Sequence, residues 1–304
     1  MIVRTRPGLF TLLFTLRGSI LPRVAPKLAG IVAVSCLVVA AEGRWPALFP
    51  VAAGVAPFTV VGVALSIFSS FRNNACYDRW WEARKAWGTV ISEARGLARA
   101  LTALLPDPAQ AAARARALRG VSAFAHGLRA RLRGGDEAAA VAARLPDGPP
   151  PAHCPSPMES ALTATTAELA ALARAGALTD VAFAILERKI ARLSEMHTVC
   201  ERIENTPVPF AYSLLVYRTA WLYCLLLPVG LSGALGWGTP VIVGLVAYTF
   251  FGLDALGDEL EEPFGLEPND LPLDALVRAV DRVVHAALGE PVPDPLAPER
   301  HRLR

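Results

Sequence analysis

Charge is what this sequence has little of. Asp, Glu, Lys and Arg make up 19% of its 304 residues, against roughly 25% in an ordinary soluble domain. A chain that is also 53% hydrophobic is neither intrinsically disordered nor a polar nucleic-acid-binding tail. The net charge of +3 is too small to attract a polyanion, so no nucleic acid is expected as a partner. Cysteine is scarce, with five residues (Cys36, Cys76, Cys154, Cys200, Cys224) and no CxxC pair. An odd, scattered set excludes a disulfide or zinc framework and reads as reduced, mostly buried small hydrophobes. The sequence has no GxSxG, P-loop, HExxH or helix-opening GxGxxG, so catalysis has no positive support and no cofactor is expected. A fixed-period repeat and an alternating β pattern are missing too.

What is present is apolar sequence in long blocks. Residues 46–71 and 219–253 contain no charged residue. A helix needs roughly 20 apolar residues to cross the hydrocarbon core. The second block is long enough for two helices joined at GALGWGTP (233–240); the first holds one, over 51–71. Residues 28–41 (LAGIVAVSCLVVAA) form a shorter apolar run, which completes a span if 24–27 snorkels into the interface. The fold class expected is therefore an all-α membrane protein with four transmembrane helices. A cleavable signal peptide fits poorly, because more than 20 residues precede the first apolar run and a second follows at once.

Basic residues orient the spans. Arg4, Arg6, Arg17, Arg23 and Lys27 precede the first, and Arg72, Arg79, Arg84 and Lys85 follow the second, while the two hairpin turns carry only Arg44. Loops rich in Lys and Arg stay in the cytoplasm. Both termini and the stretch from Arg72 to about Pro207 are expected there, in a multi-pass protein of the inner membrane. The resulting organisation is an N-terminal cytosolic segment (1–27), spans one and two (28–71), a helical cytosolic region (72–208), spans three and four (209–257) and a C-terminal cytosolic segment (258–304). Amphipathic patterns predict cytosolic helices over 81–105, 109–132, 158–175 and 178–204. GG, DGPPP and PSP make 134–157 a loop.

Few residues offer site chemistry. His197, Cys200 and Glu201 share helical spacing and suit either a metal or simply one side of a helix; without a second ligand pair no metal site is assigned. His126, His153, His285 and His301 are isolated. Acidic residues crowd the end of the last span: Asp254, Asp258, Glu259, Glu261, Glu262, Glu267 and Asp270. They suit a cation-attracting vestibule or a solvated helix end, and lack EF-hand spacing. Val63, Ile67 and Phe71 recur at i, i+4 and i+8 and form one stripe of the second span. Such a stripe packs on neighbours or lipid, or, when copies meet around an axis, makes apolar rings that gate ions by dewetting.

Four segments carry a family resemblance: RGS at 17–19, SFRNNACYDRWWEARKAWG at 70–88, IENTPVPFAYS at 203–213 and DELEEPFG at 258–265. The sequence resembles a prokaryotic bestrophin homologue over residues 16–276. The resemblance implies a homopentameric ion channel in the lipid bilayer, passing monovalent ions. Chloride or other anions follow from the family generally, and cations from its prokaryotic branch. It places the pore neck on Val63, Ile67 and Phe71, and a second, cytosolic aperture on Ile185, with Ala184 or Leu186 as neighbouring alternatives. From the acidic stretch, Glu259, Glu262, Glu267 and Asp270 are the vestibule or weak cation-site candidates, and the resemblance matches Glu267 and Asp270 to two side-chain ligands of the calcium clasp found in animal members. The calcium clasp of the animal members is incomplete here, because Leu266-Glu267-Pro268-Asn269-Asp270 lacks the consecutive acids. A non-conducting membrane scaffold whose helical cytosolic region binds a soluble partner is the alternative.

Overall fold

The computed structural model describes residues 1–3, 8, 10, 15, 18–46, 56–145, 148, 155–299 and 301–303. Residues 51–55 of the expected second span, and Arg4, Arg6, Arg17, His153 and Cys154, lie outside the described residues. Among those described the chain is helical, with only isolated bridges between Ile2 and Arg302 and between Glu299 and Arg302. The helices are α1 (Leu21–Arg44), α2 (Ala56–Leu104), α3 (Ala111–Leu132), α4 (Glu137–Ala142), α5 (Pro157–Arg174), α6 (Asp180–Asn205), α7 (Phe210–Leu235), α8 (Thr239–Glu261) and α9 (Leu273–Leu288).

The chain divides into two compact units. An apolar unit comprises Arg4–Trp80 and Pro207–Glu262; a polar unit comprises Met1–Val3, Trp81–Thr206 and Pro263–Arg304. The division falls inside α2. The sequence pattern suggests two helices there, over 51–71 and 81–105, yet α2 is a single helix of 49 residues. The segment between them, RNNACYDRW, contains neither proline nor glycine, so nothing interrupts the backbone ladder.

In the apolar unit α1, the first part of α2, α7 and α8 share one core. Val24, Ile31, Leu65, Val216, Ala220, Cys224, Leu227, Val243, Ala247, Phe250 and Phe251 are buried in it. The Ser19 hydroxyl accepts the Leu21 N–H at 3.1 Å and helps start α1. The Lys27 ammonium lies 5.1 Å from the Tyr217 ring and 5.8 Å from that of Phe251, an amphipathic placement that keeps its stem on apolar surface. The outward faces are apolar as well, with Leu37, Leu222, Leu226, Val241 and Leu245 exposed. A soluble domain does not tolerate so large an exposed apolar surface, whereas hydrocarbon solvates it. Leu21–Arg44 and Phe210–Glu261 are each long and apolar enough to cross a membrane; the latter is α7 and α8 joined by a 3-10 turn at Gly236–Gly238.

The polar unit is a helical bundle whose buried residues include Trp87, Leu97, Phe124, Leu128, Met158, Leu169, Leu186 and Leu193. Two helices are additional to the sequence reading. Within the expected loop 134–157, Asp136 caps α4 by accepting the Ala139 N–H at 2.9 Å, and Val141 is buried. Near the C-terminus α9 buries Leu273, Leu276, Val277, Val280 and Val284 along one stripe and ends at Gly289, whose φ of +70° only glycine adopts without strain.

Helix α3 packs most closely on α5 and α4, and Gly127 makes that approach possible. A Cβ there would lie 2.7 Å from Val141 Cγ2 and 2.8 Å from Met158 Cβ. Gly127→Ala gains about 1 kcal/mol of helix propensity, but overpacking of a tight core costs about 1–3 kcal/mol. A lower melting temperature than wild type is expected, read by circular dichroism of the detergent-solubilised protein.

Candidate functional site

Helix α2 presents two opposite faces within the apolar unit. Leu65, Ser69, Arg72 and Cys76 are buried, whereas Val63, Ile67 and Phe71 are 56%, 48% and 60% exposed. At 100° per residue the two stripes lie about 170° apart around the helix axis. The exposed stripe carries no charge, and Ser66 beside it spends its hydroxyl on the Gly62 carbonyl at 2.8 Å. The same face continues into exposed Asn74 and Asp78. Tyr212 of α7 donates its hydroxyl to the Phe68 carbonyl at 2.9 Å.

What sets the phase of α2 is Arg72, only 4% exposed. Its Nη1 donates to Asp254 Oδ1 at 3.0 Å and to the Asp254 carbonyl at 3.2 Å. Nη2 donates to Asp258 Oδ1 at 2.7 Å and Glu261 Oε2 at 3.2 Å, and Nε to Ser213 Oγ at 3.3 Å. Every face of the guanidinium is engaged, which is what a buried charge requires. The three acids recur at i, i+4 and i+7, so α8 turns all of them to one side. Glu261 extends the knot: Oε1 accepts the Val208 N–H at 3.0 Å, and its carbonyl accepts from Arg79 Nε and Nη2 at 3.3 Å. Arg23 approaches Asp258 at 3.8 Å and Glu259 at 3.6 Å.

Arg72 and the acids of α8 are not free charges: one guanidinium is held by three carboxylates inside one unit, with Arg23 beside Asp258 and Glu259. The pattern 254/258/261, with a lone arginine at the end of a charge-free run, was the signal that could have revealed it.

The remaining sequence-derived positions are dispersed. Glu259 is buried facing Arg23, and Glu262 is exposed. In the polar unit Glu267 is exposed, whereas Asp270 is buried and accepts the Glu267 N–H at 2.6 Å. Asp270 thus closes its own turn, and no group of three metal-ligating side chains occurs among the described residues. Ile185 on α6 is 50% exposed and Ala184 is exposed, while Leu186 is fully buried in the core.

His197 lies between two carboxylates, with Nδ1 2.8 Å from Glu159 Oε1 and Nε2 3.3 Å from Glu201 Oε1. Ser194 donates to Glu159 Oε2 at 2.9 Å. Burial opposes the charge on His197, but the hydrogen bond to Glu159 and the neighbouring Glu201 outweigh it and raise its pKa. Burial likewise disfavours the Glu159 carboxylate, yet its bonds to His197 and Ser194 bring it below the usual value. Cys200 is fully buried and its thiol is pushed up to about 12 by desolvation. In this arrangement the imidazole is committed to two carboxylates and the thiol is a buried small hydrophobe.

The family described as Bacterial/Fungal Bestrophin protein matches residues 1–286. A voltage-dependent anion channel-forming protein of Mesorhizobium japonicum is 47% identical over 301 residues, 99% of this chain and 96% of the relative. Its counterpart in Escherichia coli K12 is 38% identical over 304 residues, 99% of each chain. The crystal structure of a bacterial bestrophin homologue from Klebsiella pneumoniae superposes with a TM-score of 0.81 at 34% identity, covering 88% of this chain and 99% of that one.

Two outcomes follow from the polar contacts. Arg72→Gln strands the buried Asp254 carboxylate and is expected to cost about 3–5 kcal/mol; Arg72→Lys restores the charge but not the fork, and rescues only part of it. Thermal unfolding of the solubilised variants reads both. For His197, a raised folded pKa gives stability that is full below the ordinary histidine value of 6.5 and is lost as pH rises through the raised value. For Glu159, a lowered folded pKa gives stability present above 4.5 and lost as pH falls through the lowered value. The stability deficit of His197→Ala is therefore expected to be largest between those two values, measured as the melting-temperature difference from wild type across a pH series.

Proposed function

This chain belongs to the bacterial and fungal bestrophins, and from that membership we propose that it is an anion channel of the inner membrane, assembled as a homopentamer. The observation that carries the reading is the uncharged stripe of Val63, Ile67 and Phe71, exposed on α2 directly opposite the face that Arg72 holds. Five copies around an axis convert this stripe into three stacked apolar rings, the neck of the pore. In this reading α1, the first part of α2, α7 and α8 cross the bilayer. Both termini, residues 72–208 and residues 258–304 are cytoplasmic, following the basic residues that flank the spans.

A neutral neck selects by dehydration. A narrow apolar ring strips water from an ion without replacing it, so weakly hydrated anions cross more readily than chloride. The sign of the permeant ion comes from charges elsewhere. The Arg72 knot leaves at most one net negative charge, since Arg23, Arg72 and Arg79 stand against Asp254, Asp258, Glu259 and Glu261 within hydrogen-bonding or ion-pair reach, so it is not the source of anion preference. Anion passage is supported by the names of the relatives from Mesorhizobium and Escherichia. Ile185, exposed and apolar on α6, is the proposed second constriction; exposed Glu262 and Glu267 are the vestibule charges that temper anion preference.

Purified protein in a planar bilayer is expected to carry current whose reversal potential in a chloride gradient follows the anion. Phe71→Ala and Ile67→Ala widen the neck, and both should raise conductance and compress the permeability difference between chloride and a larger anion. A reversal potential following the cation would overturn the selectivity; wild-type currents in both variants would overturn the neck.

A further inference from the structure

A second, separate feature lies in the polar unit, where α3 and α9 enclose a cavity of about 230 Å³ lined by His126, Arg129, Arg144, Asp274, Arg278 and Asp281, with Val277 and Leu296 at its edge. Its two carboxylates are already committed. Asp274 accepts from Arg129 at 2.5 Å and from Arg133 at 2.6 Å. Asp281 accepts from Ser122 at 2.7 Å and lies 3.0 Å from His126 Nε2. Burial disfavours the Asp281 carboxylate, but those bonds to His126 and Ser122 hold its pKa below the usual value, so it stays charged.

The guanidiniums are in excess. Arg144 reaches Asp281 only at 3.9 Å. Arg278 lines the cavity and makes no hydrogen bond or ion pair among the described residues. Three arginines and two carboxylates line the cavity; Arg129 is paired with Asp274 and Arg144 at long range with Asp281, which leaves Arg278 as one positive charge without a counter-charge among the described residues. A half-enclosed guanidinium with spare donors, beside a second one held only by a 3.9 Å ion pair, suits a planar or tetrahedral oxyanion taken through paired N–H donors. The volume admits a small molecule, and Val277 and Leu296 give the lining an apolar part beside which a short carbon body fits.

We propose that this cavity binds a small dianion, a phosphate or a compact dicarboxylate, with Arg278 and Arg144 as its principal donors. The site is independent of the pore: it lies within the polar unit and does not rest on the channel reading. Arg278 is partly buried and makes no hydrogen bond or ion pair among the described residues, so Arg278→Gln is expected to keep the fold.

The test uses the full chain in detergent, with thermal unfolding followed as sodium phosphate or sodium succinate replaces sodium chloride at fixed pH and ionic strength. A saturable rise in melting temperature is expected with at least one dianion and not with chloride. Loss of one charge-assisted contact, about 1.5–3 kcal/mol, weakens half-saturation at least about tenfold in Arg278→Gln, and Arg144→Gln should behave similarly. Arg174→Gln, on the exposed surface of α5 and outside the cavity, should respond as wild type. A response to phosphate alone, or to succinate alone, identifies which dianion the cavity takes. The proposal is overturned if neither dianion acts beyond chloride, or if Arg278→Gln and wild type respond alike.

Discussion

The apolar unit depends on one buried guanidinium. Arg72 sits immediately after a charge-free run, where the surrounding medium penalises an unpaired charge by several kcal/mol. The sequence meets that demand from far along the chain, with three carboxylates on one side of α8. Once the pairing is made, the phase of α2 is determined. Leu65, Ser69 and Cys76 must share the buried side with Arg72, and Val63, Ile67 and Phe71 must face away. Glu261 passes the same constraint to the entry of α7 through the Val208 N–H. The apolar stripe is therefore exposed because its opposite face has no alternative.

The polar unit meets the same cost differently. Its charges are many and spread over several helices, so they are matched in small groups: Glu159 with His197 and Ser194, Asp281 with Ser122 and His126, Asp274 with Arg129 and Arg133. Each group cross-links two helices that hydrophobic packing alone would allow to slide. Where matching is incomplete, as around Arg278, the surplus is a place for a ligand and not a packing fault.

Much of this was legible in the residues. Charge-free runs predicted the apolar helices because hydrocarbon tolerates little else, and the Gly-rich turn before Thr239 separated α7 from α8. The motif around Trp80 and Trp81, together with Glu262-Pro263-Phe264-Gly265, pointed to the family that residues 1–286 match. The stripe of α2 was visible as a spacing, but its exposure was not, since exposure is decided by Arg72 and its partners about 180 residues away in the chain. The continuity of α2 was hidden by a change of composition, from apolar to amphipathic, which resembles a helix boundary although no breaker is present. Helix α9 carried a readable i, i+3, i+4, i+7 apolar stripe between Pro272 and Gly289; the acidic run just before it drew attention away. Helix α4 is too short for periodicity to reveal, and only its Asp136 cap signalled it.

The knot on Arg72 also limits how the molecule can move. Turning α2 about its own axis by a single residue position, 100°, would carry the guanidinium away from Asp254, Asp258 and Glu261 together and leave the buried Asp254 carboxylate stranded. Rotation of that helix alone is thus closed as a degree of freedom. Any motion that changes what the stripe faces has to take α8 along with α2, as a sliding or tilting of the pair, and its amplitude is bounded by how far a guanidinium on one helix can follow carboxylates on the other.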